Sequence, residues 1–216
     1  DLGPLSACEQ LRELFVGGNP VSDLSPLAGC GQLWRLDAGA TALTSLDSLA
    51  GLTSLYELRL HDVEGLGDIS ALTELPHLDT LFLRPVRAGQ METIGDLTEL
   101  KNLFFWHGEG MTDLTALASL DELHILFIHQ ADLSSLAGAE RMTSLQRLTV
   151  LSSQPLSLTP LEGLTELISL DLTQAAVEDW TPLRELEALE EVLCGPQQAE
   201  RLREQLGEPP FRLTVS

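Results

Sequence analysis

Leucine returns along this chain at a spacing that sorts apolar from polar positions. The pattern L-x-x-L-x-L begins at Leu11 (LRELFV), Leu33 (LWRLDA), Leu55 (LYELRL), Leu78 (LDTLFL), Leu100 (LKNLFF), Leu123 (LHILFI), Leu145 (LQRLTV), Leu167 (LISLDL) and Leu189 (LEEVLC). Successive starts lie 22, 22, 23, 22, 23, 22, 22 and 22 residues apart. Within each hexamer the fourth and sixth places alternate with polar or variable ones, which is the period of a half-buried strand. The second half of the unit repeats as well: DLSPLAGC from Asp23, DISALTEL from Asp68, DLTALASL from Asp113 and DWTPLREL from Asp179. Here apolar residues such as Leu24, Leu27 and Cys30 fall three apart and face one side of a short helical turn. The hydroxyls of Ser25, Ser70, Thr115 and Thr181 read as N-caps. Pro26, Pro160 and Pro182 follow where a missing N–H costs nothing. Each unit therefore predicts a short strand, a tight loop and a turn of 3-10 or α-helix running back. A unit this small cannot bury its apolar face alone, so the units must stack.

This register resembles the leucine-rich repeat family, and within it the 22-residue class of bacterial internalin-like proteins; the match runs from Asp1 to Cys194. The resemblance implies an α/β fold: a right-handed solenoid, or horseshoe, with a concave parallel sheet and short 3-10 or α turns on the convex side. One departure stands out. The family carries Asn eight residues after the first Leu, where it bonds loop backbone. Here only Asn19 obeys, and Thr41, Val63, Val86, Gly108, Ala131, Ser153, Ala175 and Gln197 occupy the other sites. The loops must then satisfy their backbone by other means. The opening DLGPLSAC matches the second half of a unit whose strand is absent. PQQAERLREQLG reads as a helix over Pro196–Leu206, and FRLTVS as a last strand. The organisation expected is thus repeats over 1–195 and a helix–strand cap over 196–216, as the C-terminal part of a longer protein whose upstream part is missing.

Strand alternation then assigns faces. The fourth and sixth places point into the core, so Phe105 is a core residue, whereas Phe104 and Trp106 at the fifth and seventh places project outward into solvent. Stacking turns repeat positions into columns. The fifth runs Phe15, Asp37, Arg59, Phe82, Phe104, Phe127, Thr149, Asp171, Leu193; the seventh runs Gly17, Gly39, His61, Arg84, Trp106, His129, Leu151, Thr173, Gly195. Phe82, Phe104 and Phe127 become neighbours, with Arg84, Trp106 and His129 beside them and Ile125 on the other flank. With His61 and His107 at the border, these nine residues form the candidate binding surface. Aromatic ladders can serve stability alone, but an aromatic centre with a charged rim is the usual composition of a recognition site, and that reading is preferred. Arg84 has two open roles: stacking on the Trp106 ring, or gripping a carboxylate or phosphate together with His61 and His129. The two units with an extra residue, HDVEGLGD and WHGEGMTD, carry Gly65, Gly67, Gly108 and Gly110, which suit either an adaptable rim or a tolerated insertion.

Charge narrows the partner class. Twelve basic against 33 acidic residues give a formal net charge of −21. That excludes the concentrated cations nucleic acid requires and disfavours an anionic membrane surface. No run of 18 apolar residues offers a membrane span. Cys8, Cys30 and Cys194 lie far apart without C-x-x-C spacing, which fits a reducing, cytoplasmic setting. Phosphate-loop, nucleophile-elbow and zinc-protease motifs are absent. The five histidines (His61, His77, His107, His124, His129) supply no three-ligand spacing. Asp23, Asp68, Asp113 and Asp179 precede helical turns and read as capping groups. The expectation is a recognition module with no enzymatic activity, cofactor or metal, binding a protein or peptide, or another domain of its parent, on the concave face. By layout it resembles the C-terminal sensor repeats of immune-type, NLR-like signalling ATPases. An internalin-like surface adhesin and a cytoplasmic scaffold are the alternatives.

Overall fold

The computed structural model describes residues 1–108, 110–129 and 132–216. Its twelve strands are β1 (Glu13–Phe15), β2 (Arg35–Asp37), β3 (Glu57–His61), β4 (Thr80–Arg84), β5 (Asn102–Trp106), β6 (Ile125–His129), β7 (Arg147–Leu151), β8 (Pro155–Leu156), β9 (Ser169–Leu172), β10 (Ala176–Val177), β11 (Glu191–Cys194) and β12 (Arg212–Val215). Ten of them make one sheet in the order β1-β2-β3-β4-β5-β6-β7-β9-β11-β12, and every pairing in it is parallel. The short β8 and β10 pair separately. Each of the nine hexamers supplies one strand of the large sheet, and β12 adds the tenth beyond β11.

Burial follows the sequence register place by place. In β3, Leu58 and Leu60 are buried, while Glu57, Arg59 and His61 on the other face are partly covered. In β5, Leu103 and Phe105 are fully buried between the half-covered Asn102, Phe104 and Trp106. Leucines at the first place (Leu33, Leu55, Leu100, Leu123, Leu145, Leu167) join them in the core. Since each buried leucine contributes about 1.5–3 kcal/mol relative to exposure, a shift by one residue would turn this whole set to solvent. The register is therefore strongly fixed.

The return half of each unit is a 3-10 turn, as over Ser25–Gly29, Ser70–Glu74, Thr115–Leu117 and Thr181–Glu185. Of the two capping groups expected from sequence, the hydroxyl and the aspartate, only the aspartate serves. Ser25, Ser70, Thr115 and Thr181 are the first residues of the turns rather than their caps. The carboxylates two residues earlier do the capping. Asp23, Asp68, Asp113 and Asp179 accept the backbone N–H of Ser25, Ser70, Thr115 and Thr181 at 2.7, 2.8, 2.9 and 2.9 Å. An ionised acceptor is the stronger partner for an unpaired N–H, which explains why the charged residue wins over the hydroxyl. The unit after β4 instead forms the helix α1 (Met91–Gly95). A helix α2 (Pro196–Leu206) follows β11 and buries Ala199 and Leu202. Its Gln198 and Gln205 side chains accept the N–H groups of Val177 and Trp180, so α2 is laced to the loops of the preceding unit.

Loop backbone is satisfied piecemeal. Asn19 donates to the carbonyls of Val16 and Gly17, both at 3.1 Å. Thr41 does the same to Ala38 at 2.7 Å. Elsewhere the donor comes from a different place in the unit: buried Gln90 bonds the carbonyl of Gly67 at 2.9 Å, and buried Ser152 that of Leu133 at 2.9 Å. The equivalent site at Ala131 lies outside the described residues.

Candidate functional site

Parallel pairing sets Arg59 opposite Phe82, Phe82 opposite Phe104, and Phe104 opposite Phe127. The rings respond by stacking. Phe82 and Phe104 lie parallel, with centroids 4.3 Å apart and planes 4° from each other. Phe104 and Phe127 are 6.2 Å apart and tilted by 34°. Trp106 leans onto Phe127 at 5.1 Å and 46°, and His129 meets the Phe127 edge at 6.4 Å and 69°. At the other end the Arg59 guanidinium sits 4.6 Å over the Phe82 ring. The column is thus a continuous ladder from a cation through three phenylalanines, with Trp106 and His129 along one side.

That stacking corrects the expected exposure. Phe104 and Trp106 face outward as the register requires, but each is only partly exposed because its neighbours cover its faces. The more exposed aromatic rings lie elsewhere: Phe15 (57% exposed), Tyr56 (45%) and Trp34 (36%). Trp34 and Tyr56 occupy the second place of their units, just before the strands. In that column they are flanked by Arg12 on one side and by Asp79 and Lys101 on the other, so the two rings form no longer run.

Arg84 departs from one of its two expected roles. It forms no stack on Trp106; its Nε lies 3.1 Å from Asp62 Oδ1. Leaning toward Asp62, it leaves a hollow of about 250 Å3 lined by Arg59, His61, Phe82, Arg84 and Trp106. The wall made by His61 depends on a glycine one unit earlier. A Cβ on Gly39 would fall 2.1 Å from the imidazole, so the ring occupies the space of the missing side chain. From there its Nδ1 stands 4.0 Å from Asp37 Oδ1. Gly39 and Arg59, visible in their columns, were not singled out from sequence; the Gly-then-His step in the seventh column is the signal that could have found the seat.

A second hollow of about 380 Å3 adjoins the first, lined by Asp62, Glu64, Arg84, Pro85, Arg87 and His107. His107 therefore belongs with the loop residues and not with the aromatic ladder. Its backbone, like that of Ala40 and Asp62, is left-handed, with φ values of 55°, 50° and 56°. All three occupy the eighth place of their units, as does Gly18 at φ 71°. This shared bend ends the strand and starts the loop. In the two longer units it falls on Asp62 and His107, together with Gly110 at φ 71°, whereas Gly65, Gly67 and Gly108 do not use the left-handed region. Gly65 has a different reason to be glycine: a Cβ there would meet the Leu43 carbonyl oxygen at 2.9 Å. Ile125 lies on the same sheet face at the third place, opposite Asn102 and Arg147.

The ionisable groups show support more than chemistry. Backbone and hydroxyl hydrogen bonds from Ser25 and Ser70 hold Asp23 and Asp68 below the ordinary carboxylate range, and the Thr181 hydroxyl and N–H do so for Asp179. Burial raises the Cys30 and Cys194 thiols. Among the described residues, no group of three or more His, Cys, Asp or Glu side chains converges as a metal site, and no helix is long and apolar enough to cross a membrane.

A parallel ten-stranded sheet, 3-10 returns and a leucine core in this register define a right-handed α/β leucine-rich repeat solenoid, with the sheet on its concave side. Solved structures of two internalins of Listeria monocytogenes are similar. One (inlF) has a TM-score of 0.65 at 21% identity, covering 89% of this chain and 63% of that one. The other (inlC2) has a TM-score of 0.61 at 24% identity, covering 88% and 74%. A leucine-rich repeat protein of Leptospira interrogans matches over 100% of this chain and 59% of its own length, with a TM-score of 0.75 at 19% identity. The chain thus spans less than two thirds of two of these three relatives. No protein-family model matches it, and neither does any curated protein.

Proposed function

We propose that this chain is a recognition module that binds a protein or peptide on its concave face, through the ladder of Phe82, Phe104 and Phe127 and the flanking Trp106, Arg84 and His129. The observation that carries the reading is the ladder itself. Three of six phenylalanines and one of three tryptophans gather on adjacent strands of an outward face. Aromatic side chains and arginine are enriched where interfaces concentrate their energy, and rings already locked against one another lose little freedom on binding. The module acts by surface complementarity, not by bond chemistry.

Three settings carry such a module: a sensor in an immune-type signalling ATPase, an internalin-like adhesin, or a cytoplasmic scaffold. The likeness to two internalins favours the second; no residue of this chain speaks for the first. The test is a peptide-display selection on the immobilised chain, repeated on Phe104→Ala combined with Trp106→Ala. The expected result is enrichment on the parent and its loss on the double variant, with an unchanged circular dichroism spectrum. Equal enrichment on both would move the site off the ladder.

A further inference from the structure

We infer that the hollow between His61 and Trp106 takes an acidic segment of the partner, one that presents a carboxylate beside an aromatic side chain; this rests on the recognition reading above and specifies its ligand. The first argument is charge. The chain carries a formal net charge of −21, with only twelve basic residues. Yet the polar side chains lining this hollow are Arg59, Arg84 and His61, and among the described residues no carboxylate lines it. Each has an acid behind it, Glu57 for Arg59, Asp62 for Arg84 and Asp37 for His61, but those carboxylates stand outside the hollow, so the side chains that face an incoming group are the basic ones.

The second argument is shape. His61 and Trp106 end β3 and β5, two strand spacings apart, or about 9.6 Å. Between them the side chain of Arg84 is drawn aside to Asp62. The two rings also lean apart, His61 onto Gly39 and Trp106 onto Phe127, which leaves the hollow open to a side chain laid beside the indole. The third argument is availability. The Arg84–Asp62 pair is open, with the two side chains 44% and 48% exposed, and such pairs are held weakly. A carboxylate arriving with its own apolar neighbour would exclude water from the guanidinium and replace Asp62 as its partner. Arg59, by contrast, is committed to Glu57 at 2.6 Å and to the Phe82 ring, so it shapes the floor while Arg84 does the gripping.

The experiment uses three blocked pentapeptides, each with a central phenylalanine, flanked by glutamates, serines or lysines. Binding to the whole chain is followed through the indole N–H resonance of Trp106, identified by its loss in Trp106→Phe. The glutamate peptide is expected to shift that resonance to saturation, the serine peptide to do so more weakly, and the lysine peptide not at all. Arg84→Gln should weaken the glutamate peptide about tenfold and leave the serine peptide unchanged. Two results overturn the inference and keep the recognition reading: a lysine peptide that binds as well as the glutamate one, or a glutamate peptide indifferent to Arg84→Gln. If no peptide moves the Trp106 resonance, the ligand class is wrong, and the display selection decides the wider reading by itself.

Discussion

Phe104 and Phe105 are adjacent in sequence, chemically identical, and placed on opposite faces of one strand, so truncating each in turn tests the register directly. Phe105 is fully buried. Its replacement by alanine removes a ring from the close-packed core and should cost about 3–5 kcal/mol. Phe104 instead contributes two ring pairs on the outer face, with Phe82 at 4.3 Å and Phe127 at 6.2 Å. At about 0.5–1.5 kcal/mol per aromatic pair, and nearer the lower end for the tilted, longer contact, Phe104→Ala should cost about 1–2 kcal/mol. With a urea slope of about 3 kcal/mol per molar for a chain of this size, the midpoint should fall by about 0.5 M for Phe104→Ala and by more than about 1 M for Phe105→Ala. A double-mutant cycle with Phe82→Ala should return a coupling of about 0.5–1.5 kcal/mol for the parallel stack. Equal losses at positions 104 and 105, or a coupling of zero between 82 and 104, would refute the assignment of faces and with it the ladder.

Other perturbations probe other links. The lowered pKa values of Asp23, Asp68 and Asp179 mean that the unfolded chain takes up these protons more readily than the folded one. Their contribution is therefore present above the ordinary aspartate pKa of about 3.9 and is lost as pH falls through the lower folded values. Chemical denaturation at pH 5, 4 and 3 should show the triple Asp23→Ala, Asp68→Ala, Asp179→Ala variant losing less stability over that interval than the parent. Gly95→Ala drives a Cβ to within 1.9 Å of the Ala116 carbonyl oxygen, a backbone atom that cannot swing away. A loss of about 2–3 kcal/mol in thermal or urea unfolding is expected. Gly39→Ala meets first the partly exposed His61 ring, which can swing away, so stability should change by less than about 0.5 kcal/mol while the imidazole leaves its seat, visible as a shifted His61 resonance. Iodoacetamide near neutral pH should label Cys8 ahead of the buried Cys30 and Cys194, whose thiols burial holds protonated.

The fold was legible because one constraint, an apolar residue (most often leucine) at every place that faces the core, is written nine times in the chain. Strand alternation then carried the reading as far as the ladder: which rings are neighbours follows from 22-residue offsets, and Phe82, Phe104 and Phe127 pair as their columns require. What the columns could not supply is how side chains choose among competing neighbours. Arg84 had Trp106 and Asp62 within reach, and the left-handed bend at Asp62 brings the carboxylate to the guanidinium. Phe104 and Trp106 point outward without being open, because coverage depends on tilt as well as on direction. The hydroxyl caps failed for a similar reason: a hydroxyl and a carboxylate both suit an unpaired N–H, both were expected to cap, and only geometry shows that Asp23 is the one that reaches it. The seat of His61 on Gly39 is a contact between units, invisible to any reading that treats each unit separately.

The contacts between elements run almost wholly from one turn of the chain to the next, as from β3 to β4, β5 to β6, or β7 to β9. A molecule joined in this way has no centre to which every part must answer, and its length is a quantity it can vary. Cutting out a whole coil well away from the ladder, and rejoining the ends in phase, would bring together two surfaces already shaped for such a neighbour. Slipping one in would do the same. Such a chain can be lengthened or shortened by duplication and deletion in its gene, while the few side chains that choose its partner stay where they are.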